Sequence, residues 1–351
     1  MGLGSSGAKS QVRRRPKMKH EKWPVFISAL ASLVVGATSL LSVFTIKVQA
    51  QEGKTKVRIS YPSPSICCLS LFAAHRWKIF DENGLLVEII QARSQAANAA
   101  LSSGDIQYVA GVGPNSVIAT LRGMPTRGVW FASNKSIYSL ISRPEFQALR
   151  DLRSKRIAVS GLGGTAEVSL RIALESMGEN PKDFIFIGLG GPQLIPALAA
   201  KSVDAALLNP PFIYFAKKKG FREVLDVGSH MEMPLGGLTT LVTTIQNRPG
   251  EVKRVIRSLQ QAKELMAQSR ERSIDLISEF LKVDRESAED TYVLYRKTVS
   301  GNGVPTREGI NKIVKALHLL GQLGERKVTF EEVADDRIAK EVAKELGYRD
   351  N

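Results

Sequence analysis

At 351 residues, 43% of them hydrophobic and 24% charged, the chain has an ordinary globular composition and enough length for two domains with separate cores. Lys and Arg outnumber Asp and Glu 49 to 34, but residues 1–50 hold eight of the bases and a single acid, so about half of the +15 net charge sits in that leader and the body is only moderately basic. No basic stripe interleaved with stacking aromatics is present, which argues against nucleic acid as a partner, and the two cysteines, adjacent Cys67 and Cys68, are too few for a disulfide framework or a zinc site.

Residues 1–50 have the pattern of an export signal. Arg13, Arg14, Arg15, Lys17, Lys19 and Lys22 precede an apolar run from Val25 to Ile46, and Val48-Gln49-Ala50 offers small residues for cleavage after Ala50. The run is also long enough to span a bilayer, so an uncleaved anchor stays open. Either form places the body outside the cytoplasm, in the periplasm or its equivalent.

The body begins with a strand at Val57 to Tyr61, a Ser/Pro loop at Pro62 to Ser65 and a predicted helix from Ile66 to Phe80, with Cys67 and Cys68 as small core residues at its start. Leu85 to Gln91 reads as a strand, Ala96 to Ser102 as a small-residue helix and Ile106 to Ala110 as a strand. A helix opened by Gly113-Pro114-Asn115-Ser116 and strands at Val129 to Ala132 and Tyr138 to Ser142 follow. Alternation of this kind predicts mainly parallel sheets covered on both faces.

Arg156 to Gly178 is the most structured stretch: an apolar strand, the turn Gly161-Leu162-Gly163-Gly164, Thr165 as an expected N-cap, an amphipathic helix and Gly178 as its stop. Amides at such a helix start favour an anionic or strongly polar group. The letters also fit a dinucleotide fingerprint, which needs an acid at the far end of the next strand. Asp183 precedes that strand, and the strand ends in Gly188-Leu189-Gly190-Gly191 without a carboxylate, so the nucleotide reading loses most of its support; a tight turn with no ligand remains the plain alternative.

The pattern then repeats. Residues 100–106 align without gaps on 197–203, each a helix end entering a strand, and Gly113-Pro114-Asn115 corresponds to Asn209-Pro210-Pro211. One supersecondary unit used twice predicts two similar α/β lobes facing each other across a cleft. Lys217, Lys218 and Lys219 suit a helix end. From Gly250 onward, amphipathic helices at Val252–Gln268, Ser273–Phe280, Arg285–Val299, Arg307–Leu323 and Asp335–Leu346 read as packing layers on a lobe.

The series "LFAAHRWKIFDENGLLVEII", "AALSSGDIQYVAGVG", "LRDLRSKRIAVSGLGGTAEVSLRIALESMG", "ALAAKSVDAALLNPP" and "KKKGFREVLDVG" resembles the solute-binding proteins of ABC transporters. Within them it is similar to the sulfonate, nitrate and taurine binding proteins and the thiamine-pyrimidine-precursor (NMT1/THI5-like) proteins, from Val57 to Leu241. The resemblance implies a two-lobed, type II periplasmic binding fold, each lobe a mostly parallel sheet flanked by helices. It divides the chain into residues 1–50 as signal or anchor, 55–143 plus 241–351 as the first lobe, and 144–240 as the second. Chain crossings are expected near Arg143 to Phe146 and Leu235 to Thr240.

The resemblance also implies a set of ligand-binding loops. These carry Ser63, Ser65 and Ile66; Arg93 and Gln95; Gly113, Asn115 and Ser116; Gly163, Gly164 and Thr165; and Asn209, Pro210 and Phe212. Arg93 is the candidate partner for a carboxylate or sulfonate. Gln107 departs from the repeat, where Asp204 stands, and no cage of aromatics suited to a quaternary amine is evident. The function implied is that of a monomeric, cofactor-free binding protein that hands a small anionic or polar organic solute to a membrane permease. Two alternatives stay open: a pyrimidine-precursor enzyme, for which Cys67, Cys68 and His75 are too little, and a membrane-anchored sensor.

Overall fold

The computed structural model describes residues 53–349 apart from 134, 232 and 235. The export signal, its cleavage after Ala50 and the Val25–Ile46 run lie outside the described residues. Among those described, no helix is long and apolar enough to cross a membrane.

In chain order the first half holds β1 (Thr55–Tyr61), α1 (Leu69–Arg76), α2 (Ile79–Glu82), β2 (Leu85–Gln91), α3 (Ser94–Ser103), β3 (Tyr108–Val109), α4 (Pro114–Leu121) and β4 (Thr126–Phe131). Then come β5 (Ser139–Ser142), β6 (Arg156–Val159), α5 (Thr165–Ser176), β7 (Ile185–Gly188), α6 (Leu194–Ala199), β8 (Ala205–Leu208), α7 (Phe212–Lys218), β9 (Arg222–Asp226) and β10 (Gly237–Leu241). The helical remainder is α8 (Val242–Asn247), α9 (Pro249–Gln268), α10 (Arg270–Leu281), α11 (Arg285–Thr298), α12 (Arg307–Leu319), α13 (Phe330–Val333) and α14 (Arg337–Glu345).

Two five-stranded sheets result, ordered β2-β1-β3-β10-β4 and β7-β6-β8-β5-β9. They have the same plan: three parallel strands, then one antiparallel strand, then the last. The antiparallel strand of each sheet flanks the second-lobe segment in sequence, β5 before β6 and β10 after β9. Because β5 already belongs to the second sheet, the chain crosses over before Ser139, ahead of the Arg143–Phe146 segment expected from sequence. The short apolar β8, buried along its whole length, is what a parallel strand covered on both faces requires.

Duplication extends to hydrogen bonds. Gln107 Oε1 accepts the Arg58 amide at 2.9 Å in the first sheet, and Asp204 Oδ2 accepts the Arg156 amide at 2.9 Å in the second. The reciprocal bonds, Gln107 N to Arg58 O and Asp204 N to Arg156 O, match as well. Gln107 and Asp204 are therefore equivalent structural residues with different charges. The predicted strand Ile106–Ala110 narrows to Tyr108–Val109, beginning just after the Gln107 side chain has taken the Arg58 amide.

Gly104 and Lys201 are the matching helix-to-strand turns, at φ +85° and +57°. A left-handed lysine carries a steric cost that glycine avoids. Lys201→Gly should raise the unfolding free energy by about 0.5–1 kcal/mol, read as a higher urea midpoint at unchanged slope; an unchanged or lower midpoint would show that the turn is unstrained.

The predicted single helix Ile66–Phe80 is divided. Residues 66–68 form a 3₁₀ turn, and Lys78 at φ +64° separates α1 from α2. The C-terminal helices do not all serve one lobe. Residues of α9, α10, α11 and α14 share a core with β1, β2 and α1. Ile310, Ile313 and Leu317 of α12, with Phe330 and Val333 of α13, pack instead with Leu140, Leu152, Ile157 and Leu170. Helix α12 touches both α4 and α5, so it rests on an element of each lobe.

Candidate functional site

All five candidate loops follow the carboxyl ends of parallel strands: β1, β2 and β3 in one sheet, β6 and β8 in the other. The loops after β3 and β6 meet. A methyl group placed on Gly113 would stand 3.5 Å from Thr165 Oγ1, so the starts of α4 and α5 face each other at contact distance.

The glycine turn before α5 is built around an internal carboxylate. Glu167 Oε2 accepts the Gly163 amide at 2.7 Å, and Glu167 Oε1 accepts Arg171 Nε at 2.7 Å. The Glu167 side chain is only 4% exposed. Arg171 is held in turn against the Phe186 ring, 4.3 Å from its centroid. Thr165 is not the N-cap expected from sequence: Gly164 holds that position, Thr165 is the first helical residue, and no side-chain cap bond forms. The physical reason is Glu167, whose carboxylate reaches back to the turn and supplies the negative charge a helix start favours. The spacing Gly164-x-x-Glu167, a glutamate at the third helical position, is the sequence signal that identifies it.

Gly163 adopts φ +72°, a conformation suited to glycine, and a Cβ there would come within 3.1 Å of Gln322 Nε2. Gln322, just beyond α12, thus borders the same turn, a neighbour that its distance along the chain conceals. Gly178 ends α5 in the left-handed conformation at φ +78°, as its sequence position predicts.

The remaining candidates are dispersed in character. Ser63, Arg93, Gln95 and Asn115 are exposed, while Ser65, Ser116, Asn209 and Phe212 are partly buried. Ser116 Oγ donates to Gly111 O at 3.5 Å, and Asn209 Nδ2 donates to the adjacent Pro210 carbonyl at 3.1 Å. Ile66 is buried in the first core, and Pro210, joined to Pro211 by a cis bond, is buried too.

Cys67 and Cys68 are free, and burial pushes both thiols up to about 12. They are protonated at neutral pH and poor nucleophiles. Beside them lies a cavity of about 10 Å³, lined by Ile66, Cys67, Ser70 and Tyr295 among others, with room for about one water. His75 is exposed. No group of His, Cys, Asp or Glu suited to a metal occurs among the described residues. Two larger surface grooves, of about 650 and 450 Å³, lie elsewhere and are lined by ion-paired residues such as Arg58 with Glu88 and Arg337 with Asp335.

Comparison with known proteins places this geometry in context. The NMT1/THI5-like family profile matches residues 68–273, more than half of the chain. A curated relative from Brucella abortus (strain 2308), which bears the name of a binding protein, is 28% identical over 155 residues, 43% of this chain and 48% of its own length. The chain thus spans about half the length of the curated relatives it matches. Among solved structures, the nitrate-binding protein NrtA of Synechocystis PCC 6803 superposes with a TM-score of 0.70 at 15% identity, over 84% of this chain and 89% of that one. The alkanesulfonate-binding protein SsuA of Xanthomonas axonopodis pv. citri gives 0.67 at 19% identity, over 79% and 97%. The ligand-binding component of an ABC-type import system from Staphylococcus aureus gives 0.71 at 12% identity, over 82% and 99%. These likenesses establish the periplasmic-binding-protein fold, and the match of the profile across strands of both sheets establishes more: the chain belongs to the NMT1/THI5-like family.

Proposed function

We propose that the chain is the exported substrate-binding protein of an ABC importer, capturing a small polar organic solute between its lobes and passing it to a membrane permease. The observation that carries this reading is the facing of the loops after β3 and β6 at Gly113 and Thr165. Two sheets that present their carboxyl-end loops to one another provide backbone donors and hydroxyls from both sides of a single cleft. Solute bound there adds contacts in the closed form only, and that difference shifts an open–closed equilibrium. Helix α12, resting on α4 and α5, is positioned to limit how far the lobes part.

Calorimetry against sulfonates, carboxylates, amides and pyrimidines, paired with small-angle scattering, tests the proposal. A binding member of the panel should also compact the protein. Thr165→Val should weaken that binding by about 3- to 10-fold, the worth of one hydrogen bond, with little change in unfolding midpoint. Absence of both binding and compaction across the panel would overturn the reading, and unaltered affinity in the valine variant would remove Thr165 from the site.

A further inference from the structure

The turn before α5 already contains an anion. Glu167 is buried, spends one carboxylate oxygen on the Gly163 amide and gives the other to Arg171, itself pinned by Phe186. We propose that Glu167 is a specificity-determining residue, which keeps free oxyanions out of the second lobe's ligand loop and leaves it to solutes whose contact there is uncharged. The proposal rests on the interlobe reading of the site and narrows its solute class.

The reasoning is electrostatic. A helix start and a glycine turn would otherwise present amide donors and a positive dipole end, an arrangement suited to sulfonate or phosphate. Here the carboxylate takes the Gly163 donor and balances the guanidinium of Arg171, so no cation at the turn is left unbalanced. An oxyanion arriving beside Thr165 finds the Gly163 amide already taken and no unbalanced cation to offset the loss of its hydration. A neutral carbonyl, amide or heterocycle meets no such penalty and can still bond to Thr165. Glu167→Gln keeps the side chain's volume, removes the charge and leaves Arg171 without its counterion. Both the lost charge and the uncovered guanidinium favour an incoming oxyanion.

The test compares inorganic sulfate, methanesulfonate and the neutral isostere methanesulfonamide, by calorimetry and by ligand-induced shifts in melting temperature. Wild type should favour methanesulfonamide over methanesulfonate by at least about tenfold. Glu167→Gln should gain at least about tenfold for sulfate and methanesulfonate, and Glu167→Asp, which keeps the charge, should not. If the glutamine variant fails to fold, Arg171→Gln, which leaves the carboxylate unbalanced, should widen the preference for methanesulfonamide over methanesulfonate, and an unchanged preference would overturn the proposal. Equal oxyanion affinity in wild type and a folded charge-removed variant would overturn the proposal, as would a wild type that prefers methanesulfonate. The importer reading fails separately: if no solute in the wider panel compacts wild type while the glutamine variant still takes up sulfate, the role of Glu167 stands and the transport reading falls.

Discussion

Asp204→Ala is expected to lower the unfolding free energy by about 3–5 kcal/mol, because it strips the common partner from two arginines at the base of the second sheet. Asp204 Oδ1 lies 2.7 Å from Arg143, and Asp204 Oδ2 lies 3.1 Å from Arg156 Nε while also accepting the Arg156 amide. The Arg143 side chain is only 15% exposed and its Nε lacks a partner, and its other carboxylate, Glu145 at 3.3 Å, is half exposed and offsets only part of the loss. Arg156 is more exposed and contributes less. The equivalent first-sheet residue is a built-in control: Gln107 performs the same backbone task without charge, and Gln107→Ala should cost only about 1 kcal/mol.

Burial opposes ionisation of Asp204, yet the hydrogen bonds from the Arg156 side chain and amide, with the charges of Arg156 and Arg143, outweigh it and hold the pKa below the usual carboxylate range. A lowered native pKa means that the unfolded chain binds the proton first. The stabilisation is therefore complete above the unfolded value of about 3.9 and is lost as pH falls through the lower native one. Urea unfolding of wild type and Asp204→Ala at pH 7 and at pH 3 should show the gap shrinking in acid. A gap that is small at pH 7, or constant across that range, would mean the cluster is not a buried charge network.

The second large effect is expected at Lys263, where Lys263→Met should lower stability by about 2–3 kcal/mol at pH 7. The buried amine donates to Ser300 O at 2.7 Å and Gly301 O at 2.6 Å, beside the Trp130 ring. Gln260 still reaches Gly301 O at 3.0 Å in the variant, so the Ser300 carbonyl is the group left stranded. This clasp holds a strap that accompanies the crossover between the sheets: Ser133 Oγ donates to Thr298 O at 2.6 Å, Ser300 N to Ala132 O at 2.9 Å and Phe131 N to Gly303 O at 2.8 Å.

Burial pushes Lys263 down to about 7, with neighbouring Glu264 opposing the shift. Native protein then releases this proton near neutrality, and the unfolded chain only near 10.4. Between those values the unfolded state binds more protons, so this group makes stability rise with pH from about 7 upward. Wild type should gain stability between pH 7 and 9 relative to Lys263→Met. Parallel pH profiles for the two proteins would show that Lys263 keeps its charge at all these values.

Much of the architecture is legible in the sequence. Alternating strands and helices, the gapless match of 100–106 to 197–203 and the turn at Gly178 follow from periodicity and local turn chemistry, which act over a few residues. The two sheets built on one plan bear out the two-lobed expectation. The break at Lys78 was not legible, since a left-handed lysine violates the local preference and tertiary packing maintains it. Nor was the division of the C-terminal helices between cores, because an apolar stripe states that a face is buried and not which partner buries it.

The glycine turn at Gly161 to Thr165 shows the same boundary at the scale of a few atoms. The sequence by itself determined that a strand ends there, that a helix starts, and that amides point toward a polar group, because those properties belong to the local backbone. Only the tertiary structure decided that Phe186 stacks on Arg171 beside the turn, that Gln322 borders the turn from beyond α12, and that Gly113 of the other lobe stands against Thr165. Cleft geometry depends on groups far apart in the chain, and folding alone brings them into contact.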